Sequence, residues 1–347
     1  MEELSRKAKR REERRMVQQR NTTRRDEQKE TSYVQKSEKA WVGKLKQYYD
    51  AHYMRLLWIP ILLAILAAAQ IGYQYATTGS YINKGVSLKG GVIVTLQQST
   101  GDITQMETVL RQQFPGNDID VRALTQRGER TGTIIEADLT QEQINPLKSI
   151  LEEKLSLKPG EYTIEFIGST LGESFFRQTM VALIIAFVLM SIVVFIAFRV
   201  GAPAFFVIIA AVCDMLETVA IFNLLGEKLT AAGIASFLML IGYSIDTDVL
   251  LTTRVTRRRE GTITDATFDA CLTGLTMAAA SIAAVFLGWL LTTSDVLRQI
   301  FLIIMIGLIL DIINTWLQNA AILKWWLEER GKKKHHAAHP ETGVTNG

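Results

Sequence analysis

Five acidic side chains lie in stretches of the sequence that are apolar enough to cross a membrane. They are Asp214, Glu217, Asp246, Asp248 and Asp311. A carboxylate at bilayer depth costs about 2.5–3.5 kcal/mol on insertion scales, so such groups usually face the interior of a helix bundle and serve ion or proton movement. We therefore predict that these acids are candidates for proton coupling, with Na⁺ as the alternative ion.

The spacing of the acids limits which of them can share one cavity. Asp214 and Glu217 are three residues apart, which places both on one helix face. Asp246 and Asp248 are two residues apart, and in a regular helix they point about 200° apart. Only one of this second pair is therefore expected to face a given cavity.

Asp311 begins a stripe of amide and hydroxyl side chains at three- and four-residue spacing. The stripe consists of Asn314, Thr315, Gln318 and Asn319. Polar side chains in a membrane helix form hydrogen bonds to neighbouring helices. Asp311 therefore has a second interpretation, as part of a structural polar seam, and hydrogen bonding that only fixes helix register is the alternative for Asp214 and Glu217.

Six apolar stretches are long enough to hold these acids in a membrane, since a bilayer core needs roughly 20 residues per helix. They are residues 56–76, 179–199, 203–225, 230–252, 270–291 and 299–322. Basic residues cluster in the N-terminal arm, after the second and fourth stretches, and in the C-terminal tail. By the positive-inside rule, this pattern predicts a multi-pass protein of the cell membrane with both termini in the cytoplasm.

The same pattern divides the polytopic α-helical chain into parts. The predicted parts are a charged cytoplasmic arm (1–55), a first transmembrane helix (56–76), an extracytoplasmic domain (77–178), a five-helix transmembrane bundle (179–322) and a basic cytoplasmic tail (323–347). The first 50 residues hold 15 Lys or Arg and nine acids, too much charge to bury a core. The arm is interpreted either as a contact to membrane lipid or as a solvated topogenic tail, and nucleic acid is not an expected partner.

The external segment contains the only sequence with room for a soluble core. Strand and helix patterns alternate in the order βαββαβ, which is typical of a small α+β ferredoxin-like domain. The start of its second helix has two possible signals. Thr140 with Gln143 fits a capping box, and Asn145 followed by Pro146 fits a cap with proline in the first turn.

The sequence gives little support for disulfide bonds, metal binding or proteolysis. The two cysteines, Cys213 and Cys271, lie in apolar stretches, and the histidines lie outside the spans. Two membrane acids are the minimum for an intramembrane aspartyl protease, but no GxGD string is present. We expect no metal, no cofactor and no enzymatic activity.

Three motifs resemble a known family. They are LKGG (Leu88, Lys89, Gly90 and Gly91), IGSTLGESF (167–175) and IGYSIDTDVLLTTRV (241–255), which includes Gly242, Tyr243, Ser244 and Arg254. Together they resemble the SecD/SecF family of protein-export membrane proteins in order and spacing over roughly residues 56–325. The small external domain and the single six-helix unit are similar to the SecF branch, and Asp214 lies where that branch carries a third-span Asp.

The sequence departs from the bacterial form of this family in the fourth span. GYSIND is typical of bacterial members, whereas GYSIDTD stands here, so Asp246 takes the Asn place and Asp248 falls one residue beyond the family Asp. The fifth-span Arg of bacterial members is absent, and the sequence of the fourth-span motif is similar to that of the archaeal branch.

The resemblance implies a function in protein export. It implies pairing with SecD in a twelve-helix core similar to resistance-nodulation-division transporters, contact with a SecY-type channel, and use of the proton gradient to draw an exported unfolded polypeptide outward. A passive scaffold for SecD and the channel is one alternative. A small-molecule efflux half-transporter is the other.

Overall fold

The computed structural model describes residues 42–96, 102–126, 129–154, 157–158, 160–257 and 261–338. Predictions for the arm before residue 42, the turn at 127–128, the basic residues 258–260 and the tail beyond 338 lie outside these ranges. By its internal contacts the chain divides into two units, Met1–Tyr53 and Met54–Gly347. Residues 42–53 of the first unit are helical, and the second unit contains the elements described below.

The second unit begins with a helix, continues through a sheet domain and ends in a helix bundle. In chain order its elements are α1 (Trp58–Thr78), α2 (Val86–Lys89), β1 (Gly91–Leu96), α3 (Ile103–Gln113), β2 (Ile119–Gln126), β3 (Glu129–Ala137), a 3₁₀ turn (Gln141–Gln143), α4 (Ile144–Glu153), β4 (Tyr162–Ile167), α5 (Ser169–Phe198), α6 (Gly201–Leu224), α7 (Ala231–Thr256), α8 (Ile263–Leu291), α9 (Asp295–Ile313), a π-helical turn (Asn314–Asn319) and α10 (Ala320–Ala338).

Six helices in the described part of the chain are long and apolar enough to cross a membrane. They are α1, α5, α6, α7, α8 and the continuous run from α9 into α10. Together with the sheet domain, they confirm the predicted class of a polytopic α-helical membrane protein with a small α+β domain.

Polar caps set the starts of three membrane helices. The hydroxyl of Thr230 accepts a hydrogen bond from the Gly233 amide at the start of α7, and Ser294 caps α9. Thr262 and Asp265 form a capping box at the start of α8. Because each cap satisfies backbone donors that the first turn leaves free, it fixes the residue at which the helix begins.

The sheet has four antiparallel strands in the order β2-β3-β1-β4. This is the ferredoxin-like arrangement that the βαββαβ pattern predicts. Val92, Val94 and Leu96 of β1 are buried in the core beneath α3 and α4. Since side chains alternate along a strand, Ile93 and Thr95 lie on the opposite, open face of the sheet.

The start of α4 follows the first of its two candidate signals. Thr140 and Gln143 form the capping box, in which the Thr140 amide donates to Gln143 Oε1 at 2.9 Å. The box caps the 3₁₀ turn that leads directly into α4. Asn145 and Pro146 lie inside the first turn of that helix.

The sheet domain is joined to the bundle by backbone hydrogen bonds. The Gly85 amide donates to the Leu229 carbonyl at 2.8 Å, and the Leu229 amide donates to the Asn83 carbonyl at 2.7 Å. Asn223, in the last turn of α6, donates through Nδ2 to the Tyr81 carbonyl at 2.9 Å. The α6–α7 loop therefore extends the backbone pairing of the segment that leads into the sheet domain.

Ion pairs strengthen this junction. Asp118 accepts from Lys89 of α2 at 2.8 Å and from Lys228 of the α6–α7 loop at 2.9 Å. Burial alone would raise the pKa of Asp118, but the hydrogen bonds and charges of the two lysines outweigh burial and hold its pKa below the ordinary value. Asp118 is therefore a charged link between the sheet domain and the bundle.

Helices α6, α7 and α9 form the centre of the bundle. Half of the residues in the most apolar stretch of α7 are buried, whereas only 11% are buried in the corresponding stretches of the helices that contain α1 and α5. Helix α9 approaches α7 closely at Gly307, where an added Cβ would lie 2.3 Å from the side chain of Leu240. Small residues permit such close helix contact in membranes.

Candidate functional site

Four of the five predicted acids meet at the centre of the bundle. Asp214 and Glu217 come from α6, Asp248 from α7 and Asp311 from α9, and each is at most 1% exposed. We call these four residues the carboxyl cluster. The three helices that supply it are the central ones, so the acids are shielded by the outer helices α1, α5 and α8.

The α6 acids are held by donors from two other segments. Ser244 of α7 donates to Asp214 Oδ2 at 2.5 Å. Asn314 of the π-helical turn donates from one amide group to Asp214 Oδ1 at 2.8 Å and to Glu217 Oε2 at 3.0 Å. A single side-chain amide therefore bridges both carboxyl groups.

Asp248 and Asp311 are held mainly by hydroxyl groups. Thr247 donates to Asp311 Oδ2 at 2.9 Å. Thr315 lies 3.0 Å from Asp248 Oδ1 and 3.1 Å from Asp311 Oδ1, and Asn319 donates to the same Asp248 oxygen at 2.7 Å. Because the Thr315 hydroxyl has one proton, it can donate to only one of the two acids at a time.

The π-helical turn explains how the polar stripe reaches the cluster. In a π-helix, backbone hydrogen bonds join residues five apart, so side chains at that spacing lie on nearly the same face. Asn314 and Asn319 are five apart, and both donate to cluster acids. An α-helix would turn one of them away, and single-turn π-helices of this kind are frequent at functional sites.

Several acceptor atoms at the cluster have no hydrogen-bond partner among the described residues. They are Glu217 Oε1, Asp248 Oδ2, Asn314 Oδ1 and Asn319 Oδ1. The cluster therefore has free acceptors toward which a protonated carboxyl group can donate.

Asp246, the remaining predicted acid, is not part of the cluster. Its side chain is exposed on the outer face of α7, while Asp248 faces the interior. The cause is the two-residue spacing in a regular helix, which separates the two side chains by about 200°. Asp246 shares its face with Met239, Gly242 and Tyr243, which are also exposed.

The LKGG motif lies away from the cluster and has a packing role. Leu88 is buried, and Gly90 and Gly91 adopt φ angles of 88° and 133°. A Cβ on Gly90 would lie 2.4 Å from the Ser169 Cα, and one on Gly91 would lie 2.4 Å from the Ala137 carbonyl oxygen. Only glycine allows this chain path at the junction of β1 with the start of α5.

Arg254 binds the neighbouring helix instead of the acids. Its Nη1 donates to the Asp269 carbonyl and to Thr273 Oγ1, each at 2.9 Å. These bonds connect the end of α7 to α8. At Gly242, in contrast, no atom of another described helix or strand lies within 4 Å of the position of a Cβ.

Two groups were missed by sequence reasoning. Thr247 contacts Asp311, and the signal for it was its position three residues after Ser244, on the same face of α7. Lys324 is 2% exposed and donates to Thr264 at 2.9 Å. It escaped notice because the predicted sixth span ended at residue 322, whereas the apolar helix continues to Lys333.

Comparison with known proteins gives a consistent result. The family model described as "Protein export membrane protein SecD/SecF, C-terminal" matches residues 147–329. The protein-export membrane protein SecF of Pyrococcus furiosus is 32% identical over 292 residues, which cover 84% of this chain and 97% of the relative. The chain belongs to the SecF branch of the SecD/SecF family. The predicted family is thus confirmed.

Further similarities extend this assignment. SecF of Methanothermobacter thermautotrophicus is 36% identical over 276 residues, covering 78% of this chain and 93% of the relative. Both of these SecF relatives are archaeal, as the sequence of the fourth-span motif predicts. The crystal structure of SecDF from Thermus thermophilus, a translocon-associated membrane protein, matches with a TM-score of 0.64 at 19% identity, so it shows a shared fold. This SecF-family chain covers 80% of its own length in that match and 38% of the SecDF chain.

Proposed function

We propose that this SecF-family chain is an accessory subunit of the Sec protein-export machinery that uses proton movement through the carboxyl cluster. It acts in the cell membrane beside a SecD-type partner and a SecY-type channel, on exported unfolded polypeptide. Both termini face the cytoplasm and the sheet domain lies outside, because the basic residues flank one set of helix ends. The observation that carries the proposal is the set of four buried acids at the centre of a family member whose relatives are named for protein export.

Proton movement is the chemistry that the cluster supports best. The ordinary donors around the acids are hydroxyl and amide groups, which can rearrange as a proton moves from one carboxyl group to another. A proton can pass between neighbouring carboxyl groups through such rearrangements, so we propose the proton as the coupling ion.

The outer face of α7 is the proposed contact with SecD. Asp246 is exposed there at membrane depth, and a charged group facing lipid is costly, so it is expected to face protein or water. Gly242 and Tyr243 flank it on the same face, and the open space at Gly242 would allow a partner helix to approach closely. The two aspartates of α7 thereby acquire different roles: Asp248 within the chain and Asp246 between chains.

Two isosteric variants of one helix test this division. Asp248→Asn should abolish the gain in export of a secreted reporter that the chain provides, while co-purification of a SecD-type partner from native membranes stays at the wild-type level. Asp246→Asn should lower the yield of the co-purified partner. If Asp248→Asn and Asp214→Asn support full export while deletion of the chain stops it, the chain is a passive scaffold and proton coupling is wrong.

A further inference from the structure

A cleft of about 700 Å³ separates the open face of the sheet from the outer end of the bundle. All four strands contribute to one wall, and the loop before α7, the start of α7, the end of α8 and the start of α9 form the other. Apolar side chains from both walls line it, including Ile93 and Ile134 from the sheet and Val296 and Leu302 from α9. The cleft thus lies between the sheet domain and the bundle.

Acidic groups lie among these apolar side chains. Ile93 of β1 pairs with Glu136 of β3 on one side and with Glu165 of β4 on the other. Because paired residues project from the same face of a sheet, the two glutamates flank the isoleucine inside the cleft. Glu227 and Asp295 add two acids from the bundle wall.

The positive charge in the lining is smaller. It comes from Arg122 and Arg298, against four acids. Arg122 donates to Glu136 Oε1 at 2.8 Å and also lies 3.7 Å from Glu227. Glu136 is only 8% exposed, and its charge is already matched by Arg122. Glu165, in contrast, is exposed in the cleft.

We propose that this cleft binds an extended segment of unfolded polypeptide through one of its basic side chains. The inference rests on the proposed export function and adds the site and the chemistry of the recognised segment. The apolar side chains contact the segment, Glu165 receives the Lys or Arg side chain, and the excess of acids in the lining attracts it. An anionic lipid headgroup would be repelled by the excess of negative charge in the lining. An extended polypeptide is favoured also because β4 is an edge strand of the sheet, to which a further strand can be added.

Site-specific photo-crosslinking of the full chain in nanodiscs tests the site. The crosslinking residue is placed at Val296, which is exposed in the cleft, and at Gln112, which is exposed on α3 beyond the covered face of the sheet. The probes are two unstructured synthetic peptides of the same sequence with a central Lys or a central Glu. We expect the Lys peptide to crosslink at Val296 and not at Gln112, and the Glu peptide to crosslink less at Val296.

A charge variant sharpens the result. Glu165 is exposed and forms no ion pair among the described residues, so Glu165→Gln should fold normally. It should reduce crosslinking of the Lys peptide about two- to fivefold, as expected for a partly exposed ion pair, and should not reduce crosslinking of the Glu peptide. Equal labelling at Val296 and Gln112, lipid adducts in place of peptide, or no preference for Lys would each overturn the proposal.

Failure of the cleft and failure of the export function give different results. If the peptide does not crosslink at Val296 while export in cells still depends on the chain, the cleft proposal alone is wrong. If the peptide crosslinks with the expected charge preference while export is independent of the chain, the cleft binds polypeptide and the export function is wrong.

Discussion

Gly90→Ala should loosen the sheet domain at its junction with α5. Gly90 has a φ angle of 88°, and the new Cβ would lie 2.4 Å from the Ser169 Cα and 2.6 Å from the Ser169 amide nitrogen. Gly90 has a ψ angle of 166°, so it lies in a backbone region that is essentially restricted to glycine and costs other residues about 1–3 kcal/mol. Overpacking against atoms that cannot rotate away adds about 1–3 kcal/mol. Together they predict a loss of ~2–6 kcal/mol.

Hydrogen exchange of the β1 amides measures this loss, because it reports the free energy of local opening. At the lower limit, exchange should accelerate about 30-fold. Gly160→Ala is the matched control, since its φ angle is 102° but no atom lies within 4 Å of the added Cβ, and Gly168→Ala has neither strain nor contact. The reasoning is refuted if Gly90→Ala exchanges no faster than Gly160→Ala.

Three further predictions concern the junction and the bundle. Gly307→Ala should lower the free energy of unfolding by about 1–3 kcal/mol through its contact with Leu240, so its cost in combination with Leu240→Ala should be smaller than in the wild type; fully additive losses would exclude this contact as the cause. Because the pKa of Asp118 is lowered on folding, its stabilising ion pairs are fully present above its ordinary value of 3.8 and are lost as the pH falls through the lower, folded value. Proteolysis of the sheet domain should therefore increase in acid and at high salt, and Asp118→Asn should remove that dependence. Thr315→Val, which keeps the side-chain shape, should cost about 0.6–1.7 kcal/mol in thermal stability, and an unchanged melting temperature would show that its hydroxyl contributes nothing.

Sequence patterns predicted the fold well because each element has a local signal. Apolar length identified the membrane helices, and the alternation of β1 with the capping box at Thr140 identified the sheet domain. The buried position of Asp248 and the exposed position of Asp246 follow from helical spacing once one of them is known to face inward. The spacing could not tell which one it was.

Other features of the site depend on contacts between distant segments. The polar stripe after Asp311 was recognised as facing other helices, but the π-helical turn that brings Asn314 and Asn319 to the same acids has no sequence signal of its own. The junction between Gly85 and Leu229 joins backbone groups far apart in the chain. Backbone pairing of this kind leaves no trace in side-chain identity, so the sequence could not predict it.

Proton flux through the reconstituted complex tests the central claim most directly. The chain and its SecD-type partner are placed in liposomes, a pH gradient is imposed, and a pH-sensitive dye in the lumen records proton entry. The carboxyl cluster predicts flux with the wild-type chain and its loss in Asp248→Asn and in Asp214→Asn. Flux that is the same in both variants as in the wild type would contradict the account.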